Sequence, residues 1–276
     1  MQSRRTRAEK VRPYDMRGGS ATELVYTLES FLADQPMFGD VGTQSLWFDD
    51  VDLEACAVRG FYSQQETALH LLLSQLADYE LYQYGYDDDD FKEDVGAFQR
   101  FVDTKFRDMG ILTPKVFLDG TYDQIFRARK THAAAFKKGL DTLVDQAFAQ
   151  IWTTRYLLEA VGNRLRPIVR SLKQAKYNNL AFDGRISRCS IPTWVVQLVR
   201  HRDRERCFHC GNVVSSALVE VQSFHIDHMI PLADGGTNDP TNFVLACPDC
   251  NRRKGMNLWP SIPKFYWPNF RNVQSF

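Results

Sequence analysis

The sequence predicts a mostly helical protein that ends in a small unit of a different kind. Apolar residues recur at helical spacing through the first two thirds of the 276 residues, which indicates amphipathic helices. Two C-x-x-C pairs then lie between Cys207 and Cys250, and they predict a compact unit held by its cysteines. We therefore expect a mainly helical region at 1–188, the cysteine-containing unit at 189–257 and an extended tail at 258–276, where interspersed prolines prevent a regular helix.

Two capping sequences predict helix starts in the helical region. Ser20-x-x-Glu23 and Ser63-x-x-Glu66 each precede an apolar stripe, and such side chains bond to the free backbone amides of a first turn. We expect the first helix to stop at Pro36. The run Asp87–Asp90 lacks the alternating spacing of a calcium loop, so we expect an exposed cap before another helix.

The region from Tyr122 to Lys176 reads as nearly continuous helix. We expect a break around Gly139, because glycine weakens a helix interior. Pro167 is expected to start a new helix or to kink one.

Charge is strongly segregated along the chain, although the formal net charge is zero. Residues 21–103 hold three basic and eighteen acidic residues, and residues 127–188 hold thirteen basic and four acidic residues. The basic helices are suited to following a phosphate backbone. Alternatively, they pair with the acidic region within the fold or across a dimer, in which case the charged region serves self-association or a protein partner.

Cysteine usage and hydropathy predict a cytoplasmic protein. Cys56 and Cys189 have no C-x-x-C partner, and we expect them to be buried thiols rather than half of a disulfide framework. Residues 1–15 lack the apolar core of a signal peptide. No run approaches the ~18 apolar residues that span a bilayer, so we expect no membrane association.

The cysteine pairs Cys207/Cys210 and Cys247/Cys250 have the spacing of a tetrahedral metal site. Four thiolates suit structural Zn²⁺, which needs no vacant position. Thirty-six residues separate Cys210 from Cys247, more than the roughly 15–20 of a simple zinc ribbon. The insert can therefore form a unit of its own that zinc closes at its base. The alternative is four reduced, buried cysteines without a metal.

The insert carries polar residues that suit phosphodiester hydrolysis. We expect a hairpin arm within 213–221, a second arm at 224–226 that ends at Asp227-His228, a loop at Gly235-Gly236, and a short helix after Pro248. Asp227 and Asn251 then offer oxygen ligands of the kind that Mg²⁺ or Mn²⁺ prefers. His228 can act as general base on a water molecule, because imidazole exchanges protons near neutral pH.

These features together resemble the HNH nuclease family, specifically its zinc-clamped branch related to bacterial restriction and phage-defence enzymes. The resemblance covers about residues 200–257 and implies a ββα-metal fold that cleaves DNA with one divalent ion per site. It implies that His228 is the general base and Asp227 the metal-binding acid beside it. Asn242 then holds the loop and the base in place, and Asn251 is the last metal ligand.

Further residues near this motif are candidates for lesser roles. Lys254 and Arg252 are expected to contact a phosphate or the ion. His225 either helps to bind the ion or the phosphate, or is a packed strand residue. His209 is expected to be a surface residue, because four cysteines already satisfy zinc.

The expected function is that of a metal-dependent DNA endonuclease, an effector of restriction, phage defence or a mobile element. The alternative is a zinc-dependent protein that binds nucleic acid or mediates assembly without catalysis. A module that only binds does not need an adjacent Asp and His that face an Asn, and this favours catalysis.

Overall fold

The structure is a computed structural model, and it describes residues 19–33, 51–78, 92–214 and 224–258. The chain divides into two compact units, Met1–Leu157 and Leu158–Phe276. The described residues are mostly helical, with a small β-containing region near the C-terminus. This confirms the predicted fold class. The expected start of the cysteine-containing unit at residue 189 lies inside the second compact unit and stays a prediction.

The first unit is built of helices. They are α1 (Gly19–Leu32), α2 (Leu53–Arg59), α3 (Ala68–Asp78), α4 (Val95–Asp108), α5 (Val116–Asp119), α6 (Tyr122–Thr131) and α7 (Ala133–Trp152), and α8 (Arg155–Ser171) follows. The core forms where α1, α3 and α7 pack together. Leu28 and Phe31 of α1, and Leu72 and Leu73 of α3, are fully buried. Each such side chain contributes about 1.5–3 kcal/mol relative to an exposed one.

The first helix is present where it was predicted, since α1 begins at Gly19, but Ser20 is not its cap, and the predicted start at Ser63 is wrong. Ser20 lies inside α1, and its backbone N and its Oγ donate to Asp108 Oδ2 at 3.1 and 2.6 Å, while Glu23 pairs with Lys105. Helix α3 begins five residues after Ser63, because Thr67 Oγ1 accepts the backbone N–H of His70 at 3.3 Å. Pro36 and the run 87–90 lie outside the described residues.

The predicted break at Gly139 is also wrong. Helix α7 runs through Gly139, where a Cβ would lie 2.4 Å from Met109 Sδ. The glycine therefore permits close packing, and the interruption falls at His132, between α6 and α7. Helix α8 contains Pro167 in its interior without ending there.

The second unit contains two small antiparallel sheets. Its elements after α8 are β1 (Leu180–Phe182), β2 (Arg185–Ile186), α9 (Thr193–Arg202), β3 (His225–His228), 3₁₀ turns at Leu232–Asp234 and Pro240–Asn242, β4 (Phe243–Ala246) and α10 (Pro248–Lys254). Strand β1 pairs with β2, and β3 pairs with β4. The register of the second pair sets His225 opposite Ala246 and His228 opposite Phe243. Helix α10 follows β4 directly and packs on β3.

The order of elements in the insert differs from the prediction. We expected strand, strand, loop, helix, but the described residues give strand, loop, strand, helix, because the partner of β3 comes after the loop rather than before it. The strand at 243–246 was not foreseen. Of the expected first arm, Val213 forms an isolated bridge with Arg206, and residues 215–223 lie outside the described residues, as do residues 259–276 of the expected tail.

The two remaining cysteines differ in burial. Cys56 is buried as expected, and Gln75 Nε2 lies 3.3 Å from its sulfur. Cys189 is only half-buried, which corrects the expectation of a buried thiol there. Among the helices that the structure describes, none is both long and apolar enough to cross a membrane.

Candidate functional site

The four C-x-x-C cysteines form one cluster. The sulfur atoms of Cys207, Cys210, Cys247 and Cys250 all lie within 4.8 Å of one another, and the sulfurs of Cys210 and Cys247 are 3.9 Å apart. A tetrahedral Zn²⁺ with Zn–S bonds of ~2.3 Å requires sulfur separations of about 3.8 Å. The donor set and its spacing therefore fit a structural zinc ion.

Local backbone geometry brings the two pairs together. The first knuckle turns back on itself, since Cys207 N donates to Asn212 O at 2.8 Å and Gly211 adopts a left-handed φ of 79°. Phe208 N donates to Leu245 O at 2.7 Å, which ties this knuckle to β4. The second knuckle forms the start of α10, where Cys247 is the N-cap.

A buried ion pair fixes β4 from the other side. Arg202 Nε donates to Asp203 Oδ1 at 2.9 Å, and the two side chains are 1% and 0% exposed. The second carboxylate oxygen accepts Leu245 N at 2.8 Å, and Arg202 also donates to Phe243 O. Sequence reasoning missed this pair, because two adjacent charges in an arginine-rich stretch look like a solvated surface.

Strand β3 and helix α10 meet through two rungs of side chains. His225 and Asp227 lie on one face of β3, two residues apart, and Asn251 and Lys254 lie on one face of α10, three residues apart. The outer rung joins Asn251 Nδ2 to His225 Nδ1 at 2.6 Å and is exposed. The inner rung joins Lys254 Nζ to Asp227 Oδ2 at 2.9 Å and is buried. The predicted ligands Asp227 and Asn251 thus belong to different rungs.

The carboxylate of Asp227 lies among groups that favour its charged form. Burial acts to raise the pKa of Asp227, but His209 and Lys254 outweigh it, so the pKa is lowered from its usual value. Asp227 Oδ1 accepts the backbone N–H of His228 at 2.8 Å. His209 Nε2 lies 3.7 Å from Asp227 Oδ2.

His209 is not the surface residue that we expected. Its side chain is only 2% exposed and faces Asp227 from inside the first knuckle. The physical reason is that both cysteines of the pair must point at the cluster, and the turn between them rests on β4. In the sequence, the only sign that His209 faces the site was its position between Cys207 and Cys210.

The structure also corrects the expected phosphate contact of Lys254. Its side chain is 1% exposed, and its ammonium donates to His228 O at 2.8 Å besides pairing with Asp227. A buried ammonium is stabilised only by such partners. Arg252, on the outer face of α10, remains 78% exposed beside Asp249.

His228 points to the opposite face of β3 from Asp227. Its ring packs edge-on against Phe243, its cross-strand partner, with 4.9 Å between ring centroids. His228 Nε2 lies 3.2 Å from Asn238 Oδ1. The residue is 4% exposed, and burial lowers the pKa of His228 to about 4, so the ring is neutral at neutral pH.

Asn242 fastens the loop that joins β3 to β4. Its Nδ2 donates to Ile230 O and to Thr237 O, both at 2.9 Å, and its Oδ1 accepts Ile230 N at 2.8 Å. The predicted Gly-Gly loop is present. A Cβ at Gly236 would lie 1.9 Å from Ile230 O, so only glycine fits there.

Two basic residues of α8 hold the same loop. Arg166 and Arg170 both pair with Asp234, and Arg166 Nε donates to Asp234 O at 3.0 Å. Sequence reasoning offered DNA or the acidic region as partners for these residues. Their partner is instead Asp234 in the loop between β3 and β4, and the two arginines lie one helical turn apart on α8.

The sequence model of the HNH endonuclease family matches residues 207–256. The matched segment contains the four clustered cysteines, both rungs, His228 and Asn242. No curated protein and no solved structure matches the chain.

Proposed function

We propose that this protein is a metal-dependent endonuclease that hydrolyses DNA phosphodiester bonds around β3 and α10, because residues 207–256 match the sequence model of the HNH endonuclease family. The observation that carries the proposal is the outer rung, where His225 and Asn251 present two ligand-type side chains to solvent 2.6 Å apart. The inner rung adds the carboxylate of Asp227, which lies on the same face of β3 as His225.

The residues at the two rungs fit a divalent cation. His225 Nδ1, the amide oxygen of Asn251 and the carboxylate of Asp227 are the candidate ligands, and an amide and a carboxylate suit Mg²⁺ or Mn²⁺. An imidazole ligand shifts the preference towards Mn²⁺ and later transition metals. When bound, the ion neutralises charge on the scissile phosphate and on the leaving oxygen. Zinc in the cysteine cluster is structural.

The chain's own residues supply the proton transfer and the positioning. His228 is the general base that takes a proton from the attacking water, and its neutral state at neutral pH leaves it able to do so. Asn242 keeps the β3–β4 loop in place around it. Arg252, exposed on α10, is placed to contact a phosphate of the bound strand. A role in restriction, phage defence or a mobile element is part of this proposal.

The test is plasmid nicking by the zinc-loaded full chain with Mg²⁺ or Mn²⁺. His228→Ala should reduce nicking by about 10²–10⁴-fold, the range for loss of a general base, and Asn251→Ala should reduce it in a way that excess Mn²⁺ partly restores. His201→Ala, which replaces an exposed histidine of α9, is the matched control and should cut at the wild-type rate. Wild-type cutting by His228→Ala would contradict the proposal.

One observation favours the second candidate function, nucleic-acid binding without catalysis. His228 is 4% exposed, and a base must reach water. Under this alternative, the wild type binds DNA but does not nick it with any divalent metal, and His228→Ala binds equally well. The same experiment therefore separates the two functions.

A further inference from the structure

We propose that Asn238 is a positioning residue that fixes His228 with its proton on Nε2, so that Nδ1 is the nitrogen that acts as base. The proposal rests on the proposed role of His228. It adds to that role a residue of the β3–β4 loop that the motif does not include, and it assigns a tautomer to the ring.

The geometry is a short relay of hydrogen bonds. Asn238 is completely buried, and its amide lies between two partners. Asn238 Nδ2 donates to Ser187 O at 2.8 Å, and Asn238 Oδ1 lies 3.2 Å from His228 Nε2. Ser187 is itself held, because its N–H donates to Asn179 O at 2.9 Å.

The relay determines the direction of each hydrogen bond. A backbone carbonyl such as Ser187 O can only accept, so the group of Asn238 that faces it must be the NH₂ group. The amide oxygen then faces His228, and an amide oxygen can only accept. His228 Nε2 must therefore carry the proton, and in the neutral ring the lone pair lies on Nδ1.

This arrangement matters for the proton that leaves the attacking water. Nδ1 takes that proton while the water oxygen forms its bond to phosphorus, the P–O bond to the leaving oxygen breaks, and the leaving oxygen is protonated by solvent. The Nε2–H···Oδ1 bond is kept before and after the transfer, so the ring does not have to turn. Without Asn238, both neutral tautomers and other ring orientations become accessible, and only part of the population is competent.

The relay also extends the site beyond the matched segment. Ser187 follows β2, and it lies twenty residues before the start of the family match at Cys207. The segment from β1 to α9 therefore contributes to the site through a backbone carbonyl of the second unit.

The experiment combines ¹⁵N-histidine NMR with nicking kinetics on the zinc-loaded full chain. The chain has six histidines, and the His228 signals are assigned by their loss in His228→Ala. We expect the wild type to show a protonated Nε2 and an unprotonated Nδ1. Asn238→Ala should show mixed tautomers, with kcat about 10–100-fold lower, the range for losing a residue that orients a site histidine, and an unchanged KM.

Two further variants separate positioning from stability. Asn238→Asp keeps an acceptor for Nε2–H but loses the donor to Ser187, so it should keep the wild-type tautomer and more of kcat than Asn238→Ala. Thr241→Val removes another buried bond of the same loop, from Thr241 Oγ1 to Asp239 at 2.6 Å, without touching His228. It should leave both the tautomer and kcat unchanged.

A wild-type spectrum with the proton on Nδ1 would overturn the proposal, and so would a folded Asn238→Ala that keeps both the wild-type tautomer and kcat. If Asn238→Ala does not fold, the wild-type and Asn238→Asp spectra still decide. If the wild type does not cut DNA, the proposed function fails, while the tautomer remains a separate test of the positioning role.

Discussion

The inner rung makes a quantitative prediction about stability. Lys254→Met removes the ammonium that pairs with Asp227 but keeps the length and apolar stem of the side chain. In the wild type, Lys254 Nζ lies 2.9 Å from Asp227 Oδ2 and 2.8 Å from His228 O, and the two paired side chains are 1% and 9% exposed. The substitution therefore leaves a buried carboxylate and a buried carbonyl without their cationic partner.

The expected loss of unfolding free energy follows from the burial of Lys254 and Asp227. Breaking a buried ion pair by removing one partner costs about 3–5 kcal/mol, because the remaining charge stays desolvated. Replacing both charges should be far less harmful. We expect Lys254→Met combined with Asp227→Asn to recover at least about 2 kcal/mol, a coupling typical of side chains in direct contact.

The assay is urea unfolding of the second unit, followed by zinc release to an indicator dye. Zinc release reports on this unit alone, because metal binding there is coupled to folding. Arg252→Met is the matched control on the same helix. Its side chain is 78% exposed with Asp249 at 3.6 Å, so it should cost at most about 1 kcal/mol. A loss below about 1 kcal/mol for Lys254→Met, or no recovery in the double variant, would refute the role of the inner rung.

Three other predictions address the metal, the α8 contacts and the half-buried His70. Cys247→Ser should lower zinc content by elemental analysis and the melting temperature of the second unit, and wild-type protein without zinc would contradict the cluster. Arg166→Ala with Arg170→Ala should cost about 1–2 kcal/mol by loss of the pairs with Asp234; unchanged stability with weaker, less salt-dependent DNA binding would mean that these arginines serve DNA. Burial lowers the pKa of His70 to about 4, below its unfolded value, so its contribution is complete above about pH 6.5 and is lost as the pH falls towards 4. His70→Gln should flatten the melting temperature of the first unit over that range, and an unchanged pH profile would count against the shift.

Parts of the site could be predicted because they follow from local spacing. The C-x-x-C pairs place two sulfurs on one turn whatever surrounds them, so the cluster of four cysteines followed from the sequence. Gly236 was also recognisable, since a glycine pair in a polar stretch signals a loop. The general α-helical character followed from apolar periodicity, which needs no knowledge of the partner helices.

Other features depend on contacts that local patterns do not encode. Gly139 looks like a helix break, but Met109 packs against it from thirty residues away and the helix continues. Lys254 looks like a surface lysine until β3 places Asp227 beneath it. Asn238 has no distinctive neighbours in sequence, and only the fold brings it between Ser187 and His228. In each case a long-range contact reverses the meaning of the residue type.

The two rungs also constrain how this surface can change in evolution. Residues on one face of a strand are two apart and residues on one face of a helix are three to four apart. A single insertion between 225 and 227, or between 251 and 254, would therefore prevent the two rungs from being aligned at the same time. Substitutions at the two positions of one rung should therefore be correlated, and the residue types that are accepted should differ between the outer and the inner rung. Positions 225 and 251 are exposed, so one metal-ligating residue can replace another there. Positions 227 and 254 are buried, so a change of charge at one requires a compensating change at the other. Among relatives of this chain, the residues at 225 and 251 should thus vary with the ion that is used, and substitutions at 227 and 254 should occur together.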